Sequence, residues 1–297
     1  MSTPGRGHRG TIALENARVL RHTRYDADQH VLRLEAPRCA ARATPGSFVH
    51  LRGDKSLPMR RPLSIMRAHA AEGWIELMYK VVGAGTRLLC ERRPGESLNV
   101  LGPIGRGFEP HRQRPRVLAL GGGVGIPPMI FLAERLHEQA AAGWKPLVLM
   151  GSEIPFPFQP RPSRIVVPGV APEVIAAMPL LDEWGVASRL ASQSGFPGCH
   201  DGFVTDLARG WLAALDDAQR TEVEVFACGP APMLAAAARL AREFSLACQV
   251  SLEEYMACAV GGCAGCAVAV TTPGGPAMQR VCVDGPVFDA ATVFPAA

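Results

Sequence analysis

From residue 10 to about residue 110 the chain is built of short runs in which apolar and polar positions alternate. Val31-Leu32-Arg33-Leu34, Phe48-Val49-His50-Leu51 and Trp74-Ile75-Glu76-Leu77-Met78-Tyr79 are three of them. Pro45-Gly46, Gly83, Pro94-Gly95 and Gly102-Pro103 punctuate the region. Alternation turns one side of a strand to the core and the other outward, so the pattern predicts many short strands closed into a sandwich or barrel.

Beyond Glu109-Pro110-His111-Arg112-Gln113-Arg114-Pro115, a polar, proline-flanked candidate boundary, the period changes. Arg116-Val117-Leu118-Ala119-Leu120 is a short apolar run of the kind buried on both faces of a parallel sheet. The glycine loop Gly121-Gly122-Gly123-Val124-Gly125 follows it. Pro127-Pro128 then opens a helix to about Ala142, in the first-turn position that tolerates proline. Further strands are expected at Leu147–Met150, Arg164–Val167, Ser188–Ala191 and Val223–Ala227, with a helix from Ala231 to Phe244. Alternating strands and helices predict a doubly wound parallel α/β sheet. From about Ser251 the chain is rich in Cys and Gly and too short for an apolar core of its own, so something else must hold it.

Composition adds little to this picture. The 297 residues suit two domains and a small third, and 48% apolar content is ordinary for a globular chain. A net charge of +4 with scattered arginines gives no argument for nucleic-acid binding. The first residues show no secretory-type apolar core or cleavage site, and no apolar stretch reaches the ~18 residues a membrane span needs. The expected compartment is the cytoplasm.

Cysteine usage does change the picture. Nine cysteines, four of them close to the C-terminus, do not form the even framework of a secreted disulfide protein. Cys39, Cys90, Cys199 and Cys248 stand alone, as small buried apolar residues do. Cys258, Cys263 and Cys266 are spaced Cys-x4-Cys-x2-Cys, with Cys282 following after 15 residues. That is the plant-type [2Fe–2S] pattern, in which soft thiolates supply four ligands to the irons. The small loop residues Ala259, Val260, Gly261, Gly262, Ala264 and Gly265 let backbone wrap the cluster and aim N–H groups at its sulfurs. Structural zinc favours two separate Cys pairs, which suits this spacing poorly.

Other segments carry weaker signals. In Arg61-Pro62-Leu63-Ser64, an arginine suited to phosphate oxygens precedes a serine that can reach a flavin edge. An exposed arginine pair is the plain alternative. Met78-Tyr79-Lys80 leads to Gly85 and Thr86, where backbone can approach a diphosphate, or where there is only an ordinary strand and turn. Gly121, Gly122, Gly123 and Gly125 lie between a strand and a helix, the context of a dinucleotide loop without its strict fingerprint. Cys228, Gly229 and Pro230 end a later strand at the edge where such sheets bind ligands. No catalytic acid, base or nucleophile is expected.

Taken in order, these segments resemble the electron-transfer subunit of NAD-linked, type B dihydroorotate dehydrogenase, within the ferredoxin-reductase superfamily. The resemblance runs from about residue 10 to 290, and also rests on Leu101-Gly102-Pro103-Ile104-Gly105, Gly202-Phe203-Val204-Thr205-Asp206 and Ala231-Pro232-Met233. It implies three parts: an antiparallel β-barrel for FAD over residues 1–112, an α/β doubly wound nicotinamide domain over 113–250, and a small [2Fe–2S] domain over 251–297. It places FAD on Arg61, Pro62, Leu63, Ser64, Met78, Tyr79, Lys80, Gly85 and Thr86. It further implies NAD(H) as substrate and an FMN-containing catalytic subunit that oxidises dihydroorotate, joined in a heterotetramer. A subunit of another NAD(P)H-linked oxidoreductase, such as a ferredoxin–NADP reductase complex, is the rival reading. Two departures stand out. Ser192-Gln193-Ser194-Gly195 replaces the family's Thr-Asp-Asp-Gly run, and a Pro-rich insert spans Ile154 to Pro168.

Overall fold

A computed structural model of the chain describes residues 9–54 and 56–295. The reading of the first residues as lacking a leader rests largely on positions 1–8, which lie outside the described residues. Two compact units are present. The first runs to Gly107 and also takes in Ser251–Phe288; the second runs from Phe108 to Val250 and resumes at Asp289.

In the first unit, β1 (Ala13–Tyr25), β2 (Gln29–Glu35), β3 (Phe48–Arg52), β4 (Arg61–His69), β5 (Trp74–Lys80) and β6 (Ser97–Ile104) form a closed barrel in the order β1-β2-β5-β4-β3-β6. The short helix α1 (Pro37–Ala40) follows β2, and α2 (Ala84–Cys90) follows β5. The alternation predicted strands, and closure removes the open edges such strands would leave. Leu32, Leu34, Ile65, Ile75, Leu77 and Val100 are wholly buried inside. Each such side chain contributes about 1.5–3 kcal/mol by leaving water.

The ladder between β4 and β5 is incomplete. It pairs Ile65 with Leu77 and ends at His69 with Trp74. Ahead of Ile65, Arg61–Ser64 pair with β3 instead; beyond Leu77, Met78–Lys80 pair with β2. The two strands therefore splay, and the backbone edges that face each other there are left for something other than the sheet.

The second unit begins with the segment expected as a boundary, and that segment is fastened down. Glu109 N donates to Gln249 Oε1 at 3.0 Å, and His111 N donates to Glu224 Oε2 at 3.0 Å. Glu224 is buried, and a buried carboxylate needs such partners. Then come β7 (Arg116–Gly122), α3 (Ile126–Glu138), β8 (Leu147–Gly151), the short pair β9 (Arg161–Pro162) and β10 (Ala176–Ala177), α4 (Pro179–Glu183), β11 (Ala187–Ser192) and β12 (His200–Asp201). After them stand α5 (Val204–Ala213), α6 (Asp217–Thr221), β13 (Val223–Cys228), α7 (Ala231–Glu243) and β14 (Ala247–Ser251). Six neighbouring strands of the seven-stranded sheet stand in the order β12-β11-β8-β7-β13-β14, and β11, β8, β7 and β13 are parallel. From β7 the chain builds outward through β8 and β11, then returns to place β13 on the other side. The crevice at the carboxyl ends of β7 and β13 is thus a topological switch point, where open α/β sheets bind ligands.

One expected strand is absent. Arg164–Val167 forms bends, and the insert makes only the two-residue ladder of β9 with β10. Polar anchors decide this. Ser163 Oγ donates to Asp182 Oδ1 at 2.7 Å, Arg164 Nε to Asp182 Oδ2 at 3.0 Å, and the buried Arg189 Nη2 to the Ile165 carbonyl at 2.7 Å. Val166 is left exposed, which a strand of the sheet would not allow.

The chain then returns to the first unit. The loop of Cys258 to Cys266 leads into a hairpin of β15 (Ala267–Thr272) and β16 (Gly275–Arg280), with Cys282 just after it. The segment is tied to the barrel: Arg106 N donates to the Gly285 carbonyl at 2.6 Å, and a Cβ on Gly105 would stand 2.3 Å from Pro286 Cδ. Backbone contact thus supplies what the segment's small core cannot.

Candidate cofactor and cluster sites

The flavin expectation falls on the splay between β4 and β5. Arg60 and Arg61 part company there. Arg60 is structural: Nη1 donates to the His50 carbonyl at 3.2 Å and the Asn99 carbonyl at 3.0 Å, and Nη2 to Asn99 Oδ1, tying β3 to β6. Arg61 turns toward α2. A Cβ on Gly85 would stand 2.3 Å from Arg61 Nε and 2.7 Å from Cζ, so Gly85 is what lets the guanidinium lie against the helix start. A cation beside first-turn N–H groups suits a diphosphate. The Thr86 hydroxyl accepts from Val82 N at 3.0 Å and Gly83 N at 3.2 Å, so it holds the turn in shape and leaves only its N–H for a ligand.

Arg61, Pro62, Leu63, Ser64 and Lys80 are partly exposed, whereas Met78 and Tyr79 are buried. The Tyr79 hydroxyl lies 2.8 Å from His22 Nε2, and its ring stacks on His30 at 5.2 Å. Burial holds that phenol above its ordinary range. Whatever Tyr79 offers a ligand comes from its backbone, on the edge that β4 leaves open. These features fit FAD: a cation over a glycine, free N–H groups, and unpaired strand edges for a planar heterocycle.

At the switch point, Cys228 pairs with Gly121. Here the glycines serve close packing. A Cβ on Gly125 would stand 2.2 Å from the Cys228 carbonyl oxygen, one on Gly122 2.3 Å from Met233 Sδ, and one on Gly229 2.8 Å from the same sulfur. Gly123, at φ +54°, has open space where its side chain would be. It is the glycine that a nucleotide could approach. The Cys228 side chain is fully buried.

The four C-terminal cysteines come together as two pairs. Cys258 interacts electrostatically with Cys263, and Cys282 with Cys266. Cys263 N donates to Cys258 Sγ at 3.4 Å and Gly265 N to Cys263 Sγ at 3.5 Å. Burial raises the Cys258 pKa, but the N–H groups of Val260, Cys263 and Gly262 outweigh it and bring the thiol down to about 6. Burial, with the Cys266 thiol beside it, pushes Cys282 up to about 12. Among the described residues no three His, Cys, Asp or Glu side chains are gathered for a single metal ion. Two thiol pairs lined with backbone N–H groups fit a two-iron cluster, in which each iron takes two thiolates.

Ala259 and Ala264 adopt φ of +56° and +55°, conformations that cost a residue with a Cβ about 1–2 kcal/mol each. They turn the loop so that its N–H groups face inward. Sequence reasoning missed Arg280, whose Nη1 donates to the Gly261 carbonyl at 3.1 Å. The only signal was an arginine four residues from Asp284, straddling Cys282.

A closed flavin-type barrel, a doubly wound sheet with a glycine-lined switch point, and a four-cysteine iron–sulfur loop together define a reductase with its own one-electron centre. Residues 253–294 match the model of the iron–sulfur cluster binding domain of dihydroorotate dehydrogenase B. The electron transfer subunit of dihydroorotate dehydrogenase B (NAD+) from Shouchella clausii is 32% identical, covering 91% of this chain and 94% of its own. That from Geobacillus sp. (strain WCH70) is also 32% identical, over 94% of this chain and 98% of its own. The chain belongs to the family of dihydroorotate dehydrogenase B (NAD+) electron transfer subunits. Among solved structures, an NADH-dependent reduced ferredoxin–NADP oxidoreductase superposes with a TM-score of 0.74 at 26% identity, over 94% of this chain and 90% of that one. A ferredoxin reductase of carbazole 1,9a-dioxygenase shares the fold at a TM-score of 0.60, 23% identity, and 79% and 67% coverage.

Proposed function

We propose that this chain carries electrons between a partner subunit that oxidises dihydroorotate at FMN and NAD, in pyrimidine biosynthesis. FAD lies along Arg61, Pro62, Leu63, Ser64, Met78, Tyr79, Lys80, Gly85 and Thr86. The [2Fe–2S] cluster is held by Cys258, Cys263, Cys266 and Cys282. NAD(H) approaches Gly121, Gly122, Gly123, Gly125, Cys228, Gly229 and Pro230. Bound together, the flavin and the cluster supply the exchange between two-electron and one-electron transfer. The protein's own part is placement. Arg61 and the Gly85–Thr86 backbone neutralise phosphate charge, the splayed strand edges offer N–H and C=O groups, and the loop N–H groups stabilise thiolate.

The observation that carries this reading is the four-cysteine loop, in which Cys263 N and Gly265 N donate to the Sγ of Cys258 and Cys263, in a chain that spans almost the whole length of its relatives. The partner is the FMN-containing catalytic subunit, in a heterotetramer. Among the described residues no helix is long and apolar enough to cross a membrane. The proposed compartment is the cytoplasm, in keeping with nine free cysteines.

The likeness to the ferredoxin–NADP oxidoreductase favours a second reading, in which the same cofactors serve a ferredoxin. One experiment separates them: the chain is co-produced with the dihydroorotate-oxidising subunit, and NAD reduction is followed with dihydroorotate or with reduced ferredoxin as donor. Reduction by dihydroorotate supports the first reading. Reduction by ferredoxin alone supports the second.

A further inference from the structure

The two cysteine-bearing segments are joined by a side chain that is not itself a ligand. Arg280 closes β16, two positions before Cys282. Its N–H donates to Asp284 Oδ2 at 2.8 Å, and its Nε stands 3.5 Å from the same oxygen. Asp284 N and Val283 N donate back to the Arg280 carbonyl at 2.7 and 3.0 Å, which closes a turn around Cys282. Out of that turn the guanidinium reaches the Gly261 carbonyl at 3.1 Å, in the loop between Cys258 and Cys263. Gly261 has φ +81°, so this backbone conformation is one that glycine favours.

The geometry of one peptide gives that contact its consequence. A trans peptide is planar, and its C=O and N–H point in opposite directions. The Gly261 carbonyl and the Gly262 N–H belong to the same peptide. With the carbonyl held by Arg280 on one side, the Gly262 N–H points the other way, in a loop whose next N–H, that of Cys263, donates to Cys258 Sγ at 3.4 Å. Donors to the sulfurs and nearby charge are what set the potential of an iron–sulfur cluster.

We propose that Arg280 is a positioning residue for the cluster: it holds the Gly261–Gly262 peptide of the loop between Cys258 and Cys263, and its charge, balanced by Asp284, sets the reduction potential. The inference rests on the cluster reading given above. Arg280 and Asp284 are each about a third exposed, at 35% and 32%, so solvent screens the pair only in part.

The test uses the full chain with its partner subunit, purified anaerobically as wild type, Arg280→Gln and Asp284→Asn. Iron and sulfide are assayed, and the cluster is titrated with electron paramagnetic resonance as readout. Glutamine keeps an amide donor for the Gly261 carbonyl but removes the cation and leaves Asp284 unbalanced. The cluster then becomes harder to reduce, by about tenfold in the one-electron equilibrium, or about 59 mV. Asparagine keeps an acceptor for Arg280 N but removes the anion, so the potential moves the opposite way. Iron content stays at the wild-type level in both. Potentials of both variants within about twofold of wild type in that equilibrium, or a negative shift in Asp284→Asn, would overturn the proposal. If Arg280→Gln fails to retain iron, Asp284→Asn decides on the same terms. A wild-type chain that holds no iron would instead sink the cluster reading, which keeps the two failures distinct.

Discussion

The Arg61 guanidinium lies so close against Gly85 that a methyl group there would stand 2.3 Å from Nε. The clash is with the end of a flexible side chain, which can swing away at little energetic cost. Gly85→Ala is therefore expected to leave the melting temperature nearly unchanged while moving the cation off the diphosphate position. A charge-assisted hydrogen bond contributes about 1.5–3 kcal/mol, so FAD affinity should fall about tenfold to a hundredfold. Flavin fluorescence titration beside a thermal melt checks both halves. An unchanged affinity would mean that Arg61 does not serve the phosphates.

Gly125 behaves differently because what it meets is backbone. A Cβ there would stand 2.2 Å from the Cys228 carbonyl oxygen and 2.5 Å from Gly229 N, and neither can move without shifting the switch point. Gly125→Ala should cost about 3 kcal/mol, toward the upper end for overpacking. Gly123→Ala meets open space, and its positive φ costs about 1–2 kcal/mol. Its main effect should be a raised KM for NAD. Thermal denaturation and steady-state kinetics of the two variants should show this exchange of effects.

The contrast shows what could be read in advance. The alternation of Val31–Leu34 and Trp74–Tyr79 signalled strands, and Cys258-x4-Cys263-x2-Cys266 signalled a cluster, because both are local patterns imposed by side-chain geometry. The Gly121–Gly125 loop was equally visible, but the partner that demands Gly125 is Cys228, a hundred or so residues away and brought close only by the β7–β13 pairing. The splay of β4 from β5 also depends on which neighbour each strand takes. Arg164–Val167 looked like a strand in isolation; the anchors on Asp182 and from Arg189 that bend it are long-range. Arg280 and Gly261 are joined only once the hairpin of β15 and β16 has formed.

His50 gives a pH signature to the barrel. It is fully buried, its ring lies near the backbone of Met256 and Arg60, and neither ring nitrogen meets a hydrogen-bond partner among the described residues. Burial, above all, lowers its pKa to about 4, against about 6.5 in an unfolded chain. Between those values the unfolded chain takes up a proton that the folded one refuses. The contribution to stability is intact above about pH 6.5 and is lost as the pH falls toward 4, with a limiting slope of about 1.4 kcal/mol per unit. His50→Phe should flatten that part of the profile relative to wild type in urea denaturation across this range. Parallel profiles would show that His50 is not held neutral.

The thiol pairs make a prediction for iron. Cys263 is the exposed member of the four, so Cys263→Ser should disturb packing least while removing a soft ligand. The protein should fold with its flavin affinity intact, and its iron and sulfide should fall well below about two of each per chain. A full complement of iron in this variant would place the cluster elsewhere.

The central claim is that this chain joins dihydroorotate oxidation to NAD. Its most direct test is NAD reduction by dihydroorotate in the anaerobically purified complex, with and without this chain. Turnover that appears only when the chain is present, and disappears in Cys263→Ser, is the predicted result. A fully loaded complex that reduces NAD from reduced ferredoxin but not from dihydroorotate would contradict it.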